Sequence, residues 1–414
     1  MEPITLSTVD SLPTPVAVRK PRFQRLRRFT VAAFKYLWAV LFTQGMLAFL
    51  IVGWTYRKMQ YSIARRWWKL SGSSEPLADA LGATMHSRHL KRLPNWFAAH
   101  DYREYVPLPE ANLLSNAIRR FKTVFHNLTG SFWLNAKVGF KGLFTTSVLV
   151  LPAGVIWLFS WYDGWHNSFN KGYEQAVVGP ALGVFGIILF ITAMLYVPMA
   201  QARQASTGNW KSFFQFRIVW MIVRRKWLAM LLLAMLYSAL AVPLMFMKSA
   251  VAFFPNINPE LSNYTDAQAL SLLKTYFFYC SIYFVAAYFI LRLVAARIYA
   301  NGLVECVQGG LLLEDQLAER EWELLHRFDL LKIRPAPTRH VLVRTVAWLG
   351  TRVGRAITAV ALVLVWFSFV AQIYVSEFII KKEFGLGWLN QPLVQLPYFR
   401  YIPSHLSDGK ELDR

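Results

Sequence analysis

Five uncharged runs of 21 residues, at 36–56, 142–162, 177–197, 227–247 and 356–376, constrain this chain more than any other feature. A sixth, 275–291, is uncharged over 17 residues and continues apolar past Arg292 to 296. A helix rises 1.5 Å per residue, so a hydrocarbon layer of about 30 Å takes about 20 apolar residues to cross. A charge placed at its centre costs roughly 2.5–3.5 kcal/mol on insertion scales. Runs of this length therefore predict an all-α, polytopic helical membrane bundle of about six transmembrane helices.

Charge supports that class. Only 16% of the residues are charged, against about 25% in soluble domains. The net charge of +22 would suggest a nucleic-acid partner in a soluble protein. Here the basic residues lie between apolar runs, where the positive-inside rule places them, and no nucleic-acid signature accompanies them. The expected partners are the bilayer and the anionic lipid headgroups of its inner face, at about 1 kcal/mol per Lys or Arg. Cys280 and Cys306 have no neighbouring Cys or His at metal-ligand spacing and read as small packing residues. The first run follows some 35 residues without the pattern of a cleaved signal peptide.

Counting Lys and Arg orients the chain. With connections 57–141, 198–226 and 292–355 inside, 30 basic residues lie inside and 15 outside. The basic arm 1–35 then lies outside if 36–56 crosses; the alternative is a re-entrant path turning near Gly45. Spanning is the simpler expectation, because a re-entrant backbone needs protein cover. The arm begins Pro- and Ser/Thr-rich and reads as disordered, and 381–414 reads as a tail.

Three basic amphipathic segments precede spans. Their apolar stripes are Leu114, Ile118, Phe121, Phe125 and Leu128; Phe213, Phe216, Trp220 and Val223; and Leu342, Val346, Leu349 and Val353. Each fits either a helix lying in the interface or an extension of the following span. Arg224, Arg225 and Lys226 end the second and are candidate contacts for anionic lipid. Residues 311–331 differ. Leu313, Leu317, Leu324, Phe328 and Leu331 form a stripe, and Glu314, Asp315, Glu319, Glu321 and Glu323 an acidic face. Glu323 and Arg327 stand at i, i+4. Such a helix faces water and either docks a protein partner or packs on its own loops.

Candidate chemistry is sparse. Asp163, His166, Lys171 and Glu174 crowd one short outer connection with Trp161, Trp165 and Tyr173. They fit an acid/base or metal cluster, or an aromatic belt with a tight polar turn. Gln44 and Arg292 are polar groups at membrane depth. Arg292 is expected to snorkel toward the interface. Ser147, Thr192, Ser238 and Gln372 suit helix-to-helix hydrogen bonds. No phosphate-binding loop, nucleophile elbow or zinc-binding helix motif occurs in the sequence, so neither catalytic residues nor a cofactor are expected. Pro152 and Pro243 fall inside runs and predict kinks, whereas Pro198 falls at a run's end.

Three short elements carry a resemblance: Gly53-Trp54-Thr55-Tyr56-Arg57 at the close of the first run, Leu93-Pro94-Asn95-Trp96 in the next connection, and Gln201-Ala-Arg-Gln-Ala-Ser-Thr-Gly208 followed by Phe213 and Phe214. Across about 36–366 the chain resembles an uncharacterised bacterial multi-pass family known only as a domain of unknown function. It is distantly similar to the membrane domain of some glycerophosphodiester phosphodiesterases. Asn95 stands where that family usually carries an acidic residue. The resemblance implies a bacterial inner-membrane protein without enzymatic activity. A membrane scaffold or a lipid- and partner-binding module is the first expectation, a transporter or permease the second, and an enzyme acting at the outer face the third.

Overall fold

The computed structural model describes residues 22–45, 47–97, 103–107, 112–160, 178–333, 341–380, 389–391 and 393–396. Among them every regular element is helical. In chain order these are α1 (Arg22–Phe42), α2 (Ala48–Ser71), α3 (Leu77–Gly82), α4 (Leu113–Phe159), α5 (Val178–Thr207), α6 (Phe216–Arg225), α7 (Trp227–Ser249), α8 (Asp266–Gln308), α9 (Glu319–Arg327) and α10 (Val341–Ile380), joined by short 3-10 turns. Met1–Trp38 and Ala39–Arg414 are separate compact units. In the first, the part of the basic arm expected to be disordered is helical from Arg22 onward, with Phe34 edge-on to Trp38. The rest of that arm and most of the tail lie outside the described residues.

Among the described residues, five helices are long and apolar enough to cross a membrane: Leu113–Phe159, Ala181–Thr207, Trp227–Phe253, Asp266–Gln308 and Leu349–Ser376. They coincide with the last five of the six runs, and the protein is a multi-pass membrane protein. The first run, expected to cross or to re-enter near Gly45, is not one helix. α1 ends at Phe42 and α2 starts at Ala48. The local chemistry explains the break. Thr43 Oγ1 donates to the Val40 carbonyl at 2.6 Å, and Gln44 Nε2 donates to Thr43 Oγ1 at 2.8 Å. Both side chains compete with the helical ladder, and Gly45 follows with the weakest propensity short of proline.

Within the larger unit, α8 is central and touches α2, α5, α6 and α7. Thr265 and Gln268 close a reciprocal capping box at its start, which satisfies two otherwise orphaned backbone donors. Trp67 Nε1 on α2 donates to the Ala300 carbonyl at 3.0 Å, and Arg66 Nε to Asn301 Oδ1 at 2.7 Å. α2 crosses α4 almost backbone to backbone. A Cβ on Gly53 would stand 1.8 Å from the Asn135 carbonyl oxygen, and one on Gly139 2.0 Å from that of Phe49. Small residues permit this approach, as in other membrane helix pairs. α7 packs on α10, where Ser238 Oγ donates to the Val365 carbonyl at 3.1 Å. Pro152 and Pro243 lie inside α4 and α7. Pro198 lies inside α5, which runs on to Thr207 rather than ending there.

The amphipathic segments resolve individually. The first and third are continuous with the spans α4 and α10. The second is a separate helix, α6, which buries Ile218, Val219, Ile222 and Val223 and leaves Phe216 exposed. The 311–331 segment is not one water-facing helix. It folds as a 3-10 turn at Glu314–Gln316 and the short α9. Leu313 is exposed, whereas Glu321 is fully buried. Arg327 does not pair with Glu323; it pairs with Glu75 at 2.9 Å. Glu323 instead accepts from the backbone N–H groups of Met85 and His86. The acidic segment is thus docked on its own chain.

Candidate functional site

The three sequence elements converge in space. The anchor is aromatic: Trp54 stacks on Trp96 with ring centres 4.9 Å apart and on Phe289 at 5.2 Å. Trp96 is fully buried, so it pins the Leu-Pro-Asn-Trp segment against α2 and brings Asn95 to Arg57. Arg57 Nη1 donates to Asn135 Oδ1 at 2.7 Å and, at 3.3 Å each, to the Asn95 carbonyl and Ser131 Oγ. Ser131 Oγ also donates to that carbonyl at 2.8 Å. Asn95 therefore acts through its backbone here, while its side chain accepts from the Phe97 N–H. Burial disfavours the charged form of Arg57 and lowers its pKa to about 10; the acceptors are all neutral.

Beside this node lies a cavity of about 150 Å³. α2 supplies Tyr56, Arg57 and Gln60; the following connection supplies His89, Leu90 and Pro94; α4 supplies Leu134, Val138 and Lys141; α5 and its exit supply Gln204, Ala205, Gly208 and Trp210; α9 supplies Arg320. Its lining holds Arg57, Lys141, Arg320 and His89, and no Asp or Glu. His89 Nε2 and Gln60 Oε1 are 3.0 Å apart. Arg320 is oriented by a 2.9 Å bond from Nε to the His86 carbonyl. Burial lowers its pKa, with Glu323 and Glu321 opposing. Lys141 is exposed, and its amine has no hydrogen-bond or ion-pair partner among the described residues. Gly208 has φ +71°, and a Cβ there would stand 2.5 Å from Arg320 Nη1. That residue must therefore be small and left-handed.

Connections 57–141, 198–226 and 292–355 all contribute to this one cavity. Its lining from α2 and α4 reaches the edges of the apolar runs at Tyr56 and Lys141, and that from α5 begins at Gln204, about two turns beyond its run. Such a position corresponds to the headgroup level of a bilayer.

A buried ion pair ties α9 to this end of the bundle. Arg203 and Glu321 are both inaccessible and bond at 3.0 Å, Nη1 to Oε2. Arg203 also donates to Tyr299 OH at 3.0 Å and to Gln215 Oε1 at 2.7 Å, and Tyr299 OH donates to Glu321 Oε1 at 2.6 Å.

The other sequence candidates fall as follows. Arg292 does not snorkel, which overturns that expectation. It is fully buried among Gln201, Tyr237 and the carbonyls of Leu393 and Val394. Neutral acceptors on Nη1 and Nη2 hold the guanidinium away from the interface, while Nε has no partner among the described residues. The Gln44 side chain bonds within its own break, to Thr43. Arg225 and Lys226 both pair with Glu305, so of the basic triplet only Arg224 is exposed without such a partner among the described residues. Asp163, His166, Lys171 and Glu174 lie outside the described residues. Cys280 and Cys306 are free and buried. No group of three metal-ligating side chains occurs among the described residues.

Sequence reasoning missed Gln60, His89, Lys141, Gln204 and Arg320 as neighbours, because they come from five separate segments. One signal for Glu321 was present. Leu317, Glu321, Leu324 and Phe328 step by 4, 3 and 4, so Glu321 occupies the one gap in the apolar stripe.

No family model, no curated protein and no solved structure matches this chain.

Proposed function

We propose that this protein is a non-enzymatic, membrane-embedded lipid-binding module whose ligand is the anionic headgroup of a bilayer lipid, held in the cavity between α2, α4 and α5. The observation that carries the reading is the lining: four basic side chains, three neutral polar ones and no carboxylate at a helix-run edge. An anionic group there meets Arg320 and Lys141 directly and gains hydrogen bonds from fixed donors. The charge count favours the cytoplasmic side for this end of the bundle, and the resemblance favours a bacterial inner membrane. The transporter reading draws its support from a different place, the buried polar node at Arg292.

The test is retention of lipid by purified protein in native mass spectrometry. Lys141→Ala removes one unpartnered cation, worth about 1 kcal/mol beside an anionic headgroup, so retained anionic phospholipid should fall about fivefold. Zwitterionic lipid should be unaffected. Equal retention of the two lipid classes by the unmodified protein would remove the proposal.

A further inference from the structure

We propose that Arg292 is the centre of a second ligand site, deeper than the first, which takes the carboxylate or phosphate of a single-headed amphiphile and which the chain's own residues 393–396 occupy in this structure. The argument begins with charge. A guanidinium is permanently protonated. Arg292 has 0% exposure, and no carboxylate is among its partners within the described residues. A buried charge held only by neutral dipoles is incompletely compensated.

The geometry of its hydrogen bonds is asymmetric. Nη1 is held by the framework: it donates to Gln201 Oε1 and, at 3.0 Å, to Tyr237 OH. The Tyr288 ring lies 4.8 Å from the guanidinium carbon. Gln201 is itself fixed, since its Nε2 donates to Thr146 Oγ1 at 2.8 Å. The other edge, Nε and Nη2, is the side-on fork that binds a carboxylate or phosphate through two parallel bonds. On that edge Nε has no partner among the described residues. Nη2 has only the carbonyls of Leu393 and Val394, at 3.2 and 2.6 Å. Half of the anion-binding edge is therefore unused, and the other half is filled by backbone oxygens.

The occupying segment is built to stay intact by itself. Val394 and Gln395 N–H donate to the Gln391 carbonyl at 2.8 and 2.9 Å, and Asn390 bonds Leu396 in both directions. Its polar ties to the bundle include the two bonds from Arg292 and a 3.4 Å bond from Gln201 to the Val394 carbonyl. Its apolar hold is Leu393 and Val394, both buried. A ligand that replaces it must match both parts, an oxyanion for the fork and a hydrocarbon body for the space of those side chains. Gln395 Nε2 is buried without a partner among the described residues, so the segment is not fully satisfied where it sits. A polar ladder links this site to the first cavity. Thr145 Oγ1 donates to Gln204 Oε1 at 2.7 Å, and one residue on, Thr146 meets Gln201.

The test uses the full chain in zwitterionic nanodiscs, with Val394→Cys as reporter and Cys280 and Cys306 changed to Ala. Labelling of the introduced thiol by a water-soluble maleimide is followed as laurate, a lysophosphatidate or a lysophosphatidylcholine is added. Displacement of the segment should raise the labelling rate about tenfold or more with one or both oxyanionic amphiphiles; which of the two acts separates a carboxylate from a phosphate ligand. The zwitterionic control should leave the rate unchanged. Arg292→Lys keeps the charge but lacks the fork, and should abolish the response. Lys141→Ala, which weakens the first cavity about fivefold, should preserve it. A rate unaffected by either oxyanion, or raised equally by the zwitterion, overturns the proposal without any need for the Arg292 variant to fold. Loss of the response in Lys141→Ala would assign it to the first cavity and overturn a separate site.

Discussion

Glu321→Gln is the sharpest test of how this bundle is held together. The change keeps size and one acceptor oxygen but removes the only carboxylate that neutralises Arg203 among the described residues. Both side chains are at 0% exposure, so the remaining guanidinium would be left charged and dry, with only neutral acceptors on Tyr299, Gln215 and the new amide among the described residues. Arg203 Nη2 already lacks a partner among the described residues. Removing one member of a buried pair costs about 3–5 kcal/mol, whereas replacing both members by apolar residues is often neutral. At about 2 °C per kcal/mol for a larger domain, the single change should lower the melting temperature by roughly 6–10 °C. The double change Arg203→Met with Glu321→Leu should recover most of that loss. Fluorescence-detected thermal unfolding in detergent provides the readout, with the variants compared under identical lipid and detergent. A melting temperature for Glu321→Gln within about 1 °C of the unmodified protein would refute the reasoning, since it would mean that the pair is hydrated or that α9 is not clamped by it.

Other expected outcomes are more local. Gly139→Ala should prevent stable folding or cost more than about 1–3 kcal/mol, because its Cβ would strike the Phe49 carbonyl at 2.0 Å and backbone cannot move aside; yield and monodispersity on size exclusion would show it. Glu305→Gln should change stability by less than about 1 kcal/mol, since the partly exposed pairs are weak. The same change should strengthen binding to anionic vesicles by freeing Arg225 and Lys226, and a flotation assay would show no gain if these groups face away from lipid. Pro243→Ala should be tolerated with a modest melting shift, because the proline lies in the last two turns of α7; a large loss of assembly would mean that its kink organises the bundle.

Much of the architecture was legible in the linear chain because membrane burial imposes a one-dimensional rule. A span must be apolar for about 20 consecutive residues, so five of the six runs could be read directly as the five long helices. The first run is broken for a reason also local: Thr43, Gln44 and Gly45 interrupt the helix within 36–56. Fold class therefore followed from composition over windows, and the break from individual side chains within one window.

Sites obey no such rule. The cavity gathers single residues from α2, the 89–94 connection, α4, α5 and α9, and no spacing along the chain encodes those distances. Glu321 shows the boundary between the two kinds of information. Its place in the stripe Leu317, Glu321, Leu324 and Phe328 could be read as burial, but its partner Arg203 lies 118 residues away and is supplied only by packing α9 on α5. Arg292 shows it again. Sequence placed it near the end of an apolar run, where a flexible cation is free to seek water. Tertiary structure instead surrounds it with Gln201, Tyr237 and residues 393–396, because neutral acceptors already in place hold the guanidinium where water does not reach it. Membrane class is a property of summed hydrophobicity and can be read from the chain; which charges stay buried depends on acceptors brought close by packing, and that only the fold decides.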